Sequence, residues 1–418
     1  MNRRFWQLWT AAFCSEVGEW MLQIALPVLV YRATGSATST AAMMIIGMLP
    51  AVLLSPVTGV LADRVHRPGL LRVVCVGQAL VAAPLLLDDT MCWVVMALQT
   101  SLAAFFEPAR NALVADLVPL DRVTSANGLL ASGNNVARLV GAWLGGTLLA
   151  IGGISMVYVV YAAVLCVGAL ALAGRFPRAA KKKRRPPTRD WLDGLADIRR
   201  DRRLWTFGAA LTLTSIGQGM FLVLYVPFVL DTLAAGPEGV GLLRGVQAIG
   251  GLAAGFVIAT VARRVRPDRL LGWGSIFFGL LCAVIWHGPA ATTALGVYVG
   301  LFIAVGVPGV AANTGLLATL QTAVPPAAVG RLLATAFAAM AFGSTVGMLI
   351  AGAAADTVGT TALLDGQAAL YLVGGVLVLA HQHRHRLRDT GRPGGAGGEP
   401  AELHPGQQRD DRTGQPVG

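Results

Sequence analysis

Lysine occurs at only three positions in this chain, 181 to 183, and all three are adjacent. A phosphate-cradling loop needs a lysine directly after a glycine-rich turn, and an imine-forming site needs one isolated in an apolar pocket. Neither arrangement is present, so ATP hydrolysis and Schiff-base chemistry are excluded and no enzyme is expected. The five cysteines (Cys14, Cys75, Cys92, Cys166 and Cys282) stand singly in or beside apolar segments. None has metal-ligand spacing, so they read as small interior residues, and neither a metal site nor a resident cofactor is expected. Charge is scarce too: 13% of residues are charged, against about 25% in soluble domains.

What fills the chain instead is long apolar runs, each close to the ~20 residues that cross a bilayer as a helix. Hydropathy and breaker residues predict twelve spans, near 5–31, 38–62, 70–87, 91–112, 127–151 and 154–174, then 204–230, 238–262, 270–287, 292–318, 329–355 and 363–382. The opening "MNRRFWQLW" has the charge of a signal peptide, but Glu16 and Glu19 follow it without a convincing cleavage site, so it reads as a retained first helix. The fold class expected is an all-α membrane protein of two six-helix bundles, residues 1–174 and 204–387. A basic linker, 175–203, joins them, and a polar Gly/Pro-rich tail, 388–418, is expected to be disordered.

The net charge of +11 is localised. Twelve Lys or Arg against four Asp lie between Arg175 and Arg203. Arg64, Arg67, Arg72, Arg122, Arg263, Arg264, Arg266, Arg269 and Arg331 fall in loops on the same side as that linker. The opposite loops hold Asp88, Asp89, Asp231, Glu238 and Asp365, with Arg32 the main exception. This is the positive-inside pattern, so the basic residues face the cytoplasm, both termini are expected there, and nucleic acid is not needed to explain the charge. The expected surroundings are the lipid bilayer of a bacterial cytoplasmic membrane; a monomer is the favoured state.

The halves repeat. "ADRVHRPGLL" from Ala62 matches "ARRVRPDRLL" from Ala262, and Pro27 matches Pro227, at an offset of 200. "LVADLVP", ending at Pro119, matches "TLQTAVP", ending at Pro325, at 206, an offset that also pairs Gly141 with Gly347 and Gly146 with Gly352. Parallel repeats imply two bundles related by an axis along the membrane normal. "GAWLGG" and "GMLIAG" bring small residues to one helix face, as close helix packing requires.

Gly59, Asp63, Arg64 and Arg67 resemble the loop signature of the major facilitator superfamily, G-x-x-x-D-R-x-G-R-[KR], with His66 in place of the usual glycine and Pro68 in place of the second basic residue. "GEW" in the first helix and "FFEPARNALVADLVP" before "ANGLL" resemble the enterobactin-exporter and macrolide-efflux branch. The resemblance implies a cytoplasmic gate in which Asp63 approaches the N-terminus of helix eleven, near Gly330 and Arg331. A carboxylate there gains ~0.3–1 kcal/mol from the helix dipole. Arg110 is a second expected partner of Asp63, and Glu107 with Arg110 reads as a gate pair. Arg263 stands where the repeat would place a second Asp, so the latch is expected on one side only.

Helix one carries Glu16, Glu19 and Gln23 on one face. A charge at mid-membrane costs roughly 2.5–3.5 kcal/mol on insertion scales, so two acids this close belong beside a cavity. Arg138, near Asn134 and Asn135, is expected to neutralise one acid and leave the other to carry a proton, with Glu19 favoured over Glu16 from the resemblance. Thr214, Ser215, Gln218, Asn313 and Thr314 are the expected polar cavity residues of the second half, with Met220, Phe221 and Tyr225 as its apolar wall. Arg244 is expected to reach outward to Asp231 or Glu238, or else to attract an anionic group. The reading that results is a proton-coupled exporter of a small amphipathic molecule (a siderophore, macrolide or other natural product), driven by the proton gradient. An importer or uniporter of a sugar or metabolite, richer in polar cavity residues, and a non-transporting membrane sensor or scaffold are the alternatives.

Overall fold

The computed structural model describes residues 2–119, 122–174, 176, 202–261, 266–323 and 326–390. Within these, only the backbone is described at residues 55, 56, 59, 60, 62–64, 124, 202–204, 259–261, 323, 326–328, 331 and 382–390. Most of the linker and nearly all of the tail therefore lie outside the described residues. The described chain is helical: α1 (Arg3–Thr34), α2 (Ala37–Arg64), α3 (Arg67–Val81), α4 (Cys92–Ala103), α5 (Phe106–Leu117) and α6 (Val123–Ala171), then α7 (Arg202–Pro227), α8 (Gly236–Val261), α9 (Pro267–His287), α10 (Leu295–Ala323), α11 (Pro326–Val358) and α12 (Thr360–Thr390).

Among the described residues eleven helical stretches are apolar and long enough to cross a membrane, and the longest, Ser125–Ala171, makes two passes. It divides at Gly153, whose φ of 68° lies in the left-handed region open to glycine. Gly359, at φ 90°, separates α11 from α12. These two glycines are 206 apart, so the offset that pairs the apolar patches also pairs the turns. Helix four differs from the sequence reading: α4 and α5 make one pass broken at Ala104 and Phe105, and it continues to Leu117 rather than 112.

Ends are capped by ordinary chemistry. The Asn2 side chain accepts from the Phe5 N–H at 2.8 Å, and Gly35 closes α1 in the left-handed conformation with its N–H on the Tyr31 carbonyl at 2.7 Å. One end of the bundle carries Arg67, Arg72, Arg122 and Arg266 and is called here the basic end; the other, with Asp88, Asp89, Asp231, Glu238 and Asp365, is the acidic end.

The repeated glycine patches serve both bundles alike. Gly141 and Gly145 lie against the α1 backbone at Val17 and Met21, while Gly146 lies against Pro237 and Gly241 of α8. In the second half Gly347 lies against Ile216 of α7, and Gly352 against Thr38 and Ala41 of α2. Each patch thus holds one helix of its own bundle and one of the other. Thr38 Oγ1 donates to the Gly352 carbonyl at 2.6 Å, and the Tyr31 hydroxyl donates to Asp231. These contacts join the halves from mid-span to the acidic end.

Candidate functional site

A cavity of about 620 Å³ opens between the halves, within the ~300–1,000 Å³ of small-molecule sites. Its first-half wall comes from α1, α2, the α4–α5 pass and Asn134 of α6, and its second-half wall from α7, α8 and α11. Met44, Met48, Met96 and Met348 line it, as do Phe221 and Tyr225. Unbranched thioether side chains conform to varied apolar shapes. Behind them Phe221 packs on Tyr225 with ring centres 5.3 Å apart, Tyr225 on Phe302 at 5.8 Å, and the Tyr225 hydroxyl donates to the Val240 carbonyl at 2.6 Å. The aromatic wall is therefore fixed, whereas the methionine wall is adaptable.

The polar stripe of α1 faces this cavity through Glu16, Glu19 and Gln23. Arg110 Nη1 donates to Glu16 Oε1 at 2.8 Å, with both side chains mostly buried, 13% and 17% exposed. The Arg110–Glu107 approach is longer, 3.5 Å, and Glu107 is 74% exposed. Arg110 thus belongs first to Glu16, and Glu107 and Arg110 both line the cavity. Glu19 accepts a hydrogen bond from Gln23 Nε2 at 3.1 Å. It forms no ion pair among the described residues.

Arg138 is not the counterion expected for either glutamate. Its guanidinium lies over the Trp20 ring, 5.6 Å from the ring centre, and its Nε is buried without an acceptor. One helical turn of α5 brings Arg110 to Glu16 instead, a tertiary choice that the spacing within α6 does not encode. Arg244 likewise reaches neither Asp231 nor Glu238. It lines the cavity, donates to Gln247 Oε1 at 3.2 Å, and stacks over Phe221 and Trp20 with centre distances of 5.0 and 5.9 Å. Asp231 is taken by Tyr31.

Of the other expected cavity residues, Gln23 and Asn134 line the space. Thr214 and Ser215 turn back onto the carbonyls of Ala210 and Leu211, at 3.0 and 2.7 Å, as hydroxyls inside apolar helices commonly do. Gln218 accepts from the Tyr371 hydroxyl at 3.1 Å, and Asn135 donates to the Ala131 carbonyl at 3.0 Å. None of these four lines the cavity, nor do Asn313, Thr314 or Met220. Trp20 and the four methionines were missed; the i, i+4 pair Met44 and Met48 within "MMIIGMLP" was the available signal.

At the basic end Arg67 pairs with Asp116 and also donates to the Ala112 carbonyl at 3.3 Å, joining α3 to α5. The side chains of Gly59, Asp63, Arg64 and Arg331, and residues 263 and 264, lie outside those described, so the expected latch does too.

The profile of the Major Facilitator Superfamily matches residues 8–336 and 208–408. The chain belongs to this superfamily, and it is a multi-pass membrane transporter rather than an enzyme. Bacterial relatives include the uncharacterized MFS-type transporter YfiS of Bacillus subtilis (strain 168), 24% identical over 83% of this chain and 85% of that protein. The multi-drug resistance efflux pump PmrA of Streptococcus pneumoniae is 24% identical over 75% and 78%. Macrolide efflux protein A of Streptococcus pyogenes is 21% identical over 85% and 90%. Among solved structures, a bacterial homologue of the iron transporter ferroportin in its inward-facing state superimposes with a TM-score of 0.70 at 16% identity, covering 90% of this chain and 98% of that one. The nucleoside transporter NupG superimposes at 0.73 and 13% identity, covering 91% and 99%. The fold is thus shared with both of these solved structures.

Proposed function

We propose that this chain is a proton-coupled exporter of small amphipathic molecules, working by alternating access in a bacterial cytoplasmic membrane. The observation that carries this reading is the division of labour between two acids one turn apart. Glu16 is held by Arg110, whereas Glu19 faces the same cavity with only an amide for a partner. A carboxyl without a fixed counterion loses little on taking up a proton, which is what a carrier needs.

The positive-inside rule places the basic end in the cytoplasm together with both termini. The halves are joined toward the acidic end, so the arrangement is the inward-open one, ready to load cargo from the cytoplasm. Efflux relatives and a methionine-rich wall both favour amphipathic cargo. Each inward proton supplies ~1.4 kcal/mol per pH unit and ~2.3 kcal/mol per 100 mV of potential, enough for a concentration gradient of several hundredfold.

The test is accumulation in cells that express the chain, with a macrolide, a catecholate siderophore and a sugar as probes. Lower accumulation of an amphipathic probe, abolished by a protonophore, supports export. Unchanged accumulation of all the probes, with the protein inserted in the membrane, contradicts it.

A further inference from the structure

Two arginines meet at one tryptophan here, and neither has a carboxylate partner among the described residues. Arg138 belongs to α6 in the first half and Arg244 to α8 in the second; both guanidinium groups lie within 6 Å of the Trp20 ring centre, at 5.6 and 5.9 Å. The acids nearest Trp20 in sequence are otherwise engaged: Glu16 is held by Arg110, and Glu19 by Gln23. The basic groups of the cavity are thus divided, with Arg110 compensated and Arg244 not.

Ring faces and one amide do not replace an anion. Arg244 has five N–H donors, of which Gln247 takes one, at 3.2 Å. Cation–π contacts return roughly 0.5–2 kcal/mol each, well below the cost of taking a charge out of water. Arg138 is worse placed, with its Nε buried and without an acceptor. Two like charges beside one ring also repel each other. A structural role alone would be served by one arginine with an acid; this arrangement instead brings two guanidinium groups without a carboxylate partner to one ring where the halves meet.

We propose that the cavity selects amphipathic anions. The acidic group of the cargo, a carboxylate or a phenolate, binds Arg244 at the cavity wall, while Arg138 adds its field from behind Trp20. The apolar body lies against Phe221 and the methionines of α2 and α4. Because the two arginines come from opposite halves, the anion relieves their repulsion across the α6–α8 contact. This inference rests on the transporter reading of the same cavity and names the charge of its cargo.

The experiment uses the full chain in detergent and three probes that share one ring system: naphthylacetate, its uncharged amide and a naphthylethylamine. Affinity is read by titration calorimetry. Naphthylacetate is expected to bind at least tenfold more tightly than the amide, with the amine weakest. Arg244→Gln brings the acetate down to the level of the amide while leaving the amide within about twofold. Arg244→Lys retains part of the preference, and Arg138→Gln lowers it severalfold. The wild-type comparison needs no variant, so a misfolded mutant does not blunt the test. Equal binding of acetate and amide, tightest binding of the amine, binding of none of the three, or a preference that survives both glutamine substitutions overturns the proposal. Binding is independent of coupling: an anion preference without cellular efflux contradicts the export reading alone, and efflux of neutral or cationic probes without anion preference contradicts this inference alone.

Discussion

Arg110 Nη1 donates to Glu16 Oε1 at 2.8 Å across the first bundle, from α5 to α1, with both side chains largely withdrawn from solvent. Breaking a buried pair by removing one member leaves a bare charge and costs about 3–5 kcal/mol. Arg110→Gln should therefore lower unfolding stability by that order in detergent. Adding Glu16→Gln to it should restore most of the loss, since the bare carboxylate is gone. A double variant as unstable as the single one would show that the two residues act apart.

Gly146 and Gly352 lie in close contacts between the halves, against Pro237 and Gly241 in one case and Thr38 and Ala41 in the other. Overpacking a tight contact costs about 1–3 kcal/mol. Gly146→Leu and Gly352→Val should each reduce stability by this amount and loosen the acidic end. The same substitutions at Gly128 or Gly300, which face open space, should leave transport nearly unchanged. Measured efflux rates would separate the two pairs.

The Tyr31 hydroxyl on Asp231 joins the end of α1 to the turn after α7. Tyr31→Phe deletes only the donor. With Met348→Cys as a reporter on the cavity wall, in a chain whose five native cysteines are replaced by alanine, an impermeant maleimide added outside cells should label several times faster once Tyr31 is changed. An unchanged labelling rate would show that this contact does not hold the acidic end.

Much of this was legible in the sequence for a simple reason. A bilayer demands ~20 apolar residues per pass and leaves charge at the ends, so spans, their number and the repeat follow from local patterns. The turns at Gly153 and Gly359 fall in the gaps between predicted spans, 151 to 154 and 355 to 363, although the pattern does not single out those glycines. Side-chain partners are another matter. Sequence pattern assigns Arg138 to the glutamates and Arg110 to Asp63 and Glu107, whereas which arginine reaches Glu16 depends on how α5 and α6 pack on α1. Thr214, Ser215 and Gln218 looked like cavity residues because they are polar in an apolar helix. A helix satisfies such groups on its own carbonyls or on a neighbour, however, and polarity alone does not tell which face is open. Methionine was the converse case: apolar by composition, and part of the site only because of where α2, α4 and α11 place it.

In the proposed coupling Glu19 carries the proton while Glu16 holds structure. The most direct measurement is substrate-driven proton release from acid-loaded inverted vesicles, followed with a pH-sensitive dye for the wild type and for Glu19→Gln. Release on addition of an amphipathic substrate, lost in Glu19→Gln although that variant retains its unfolding stability and its substrate binding, is the predicted result. Release that persists undiminished in Glu19→Gln would contradict the account.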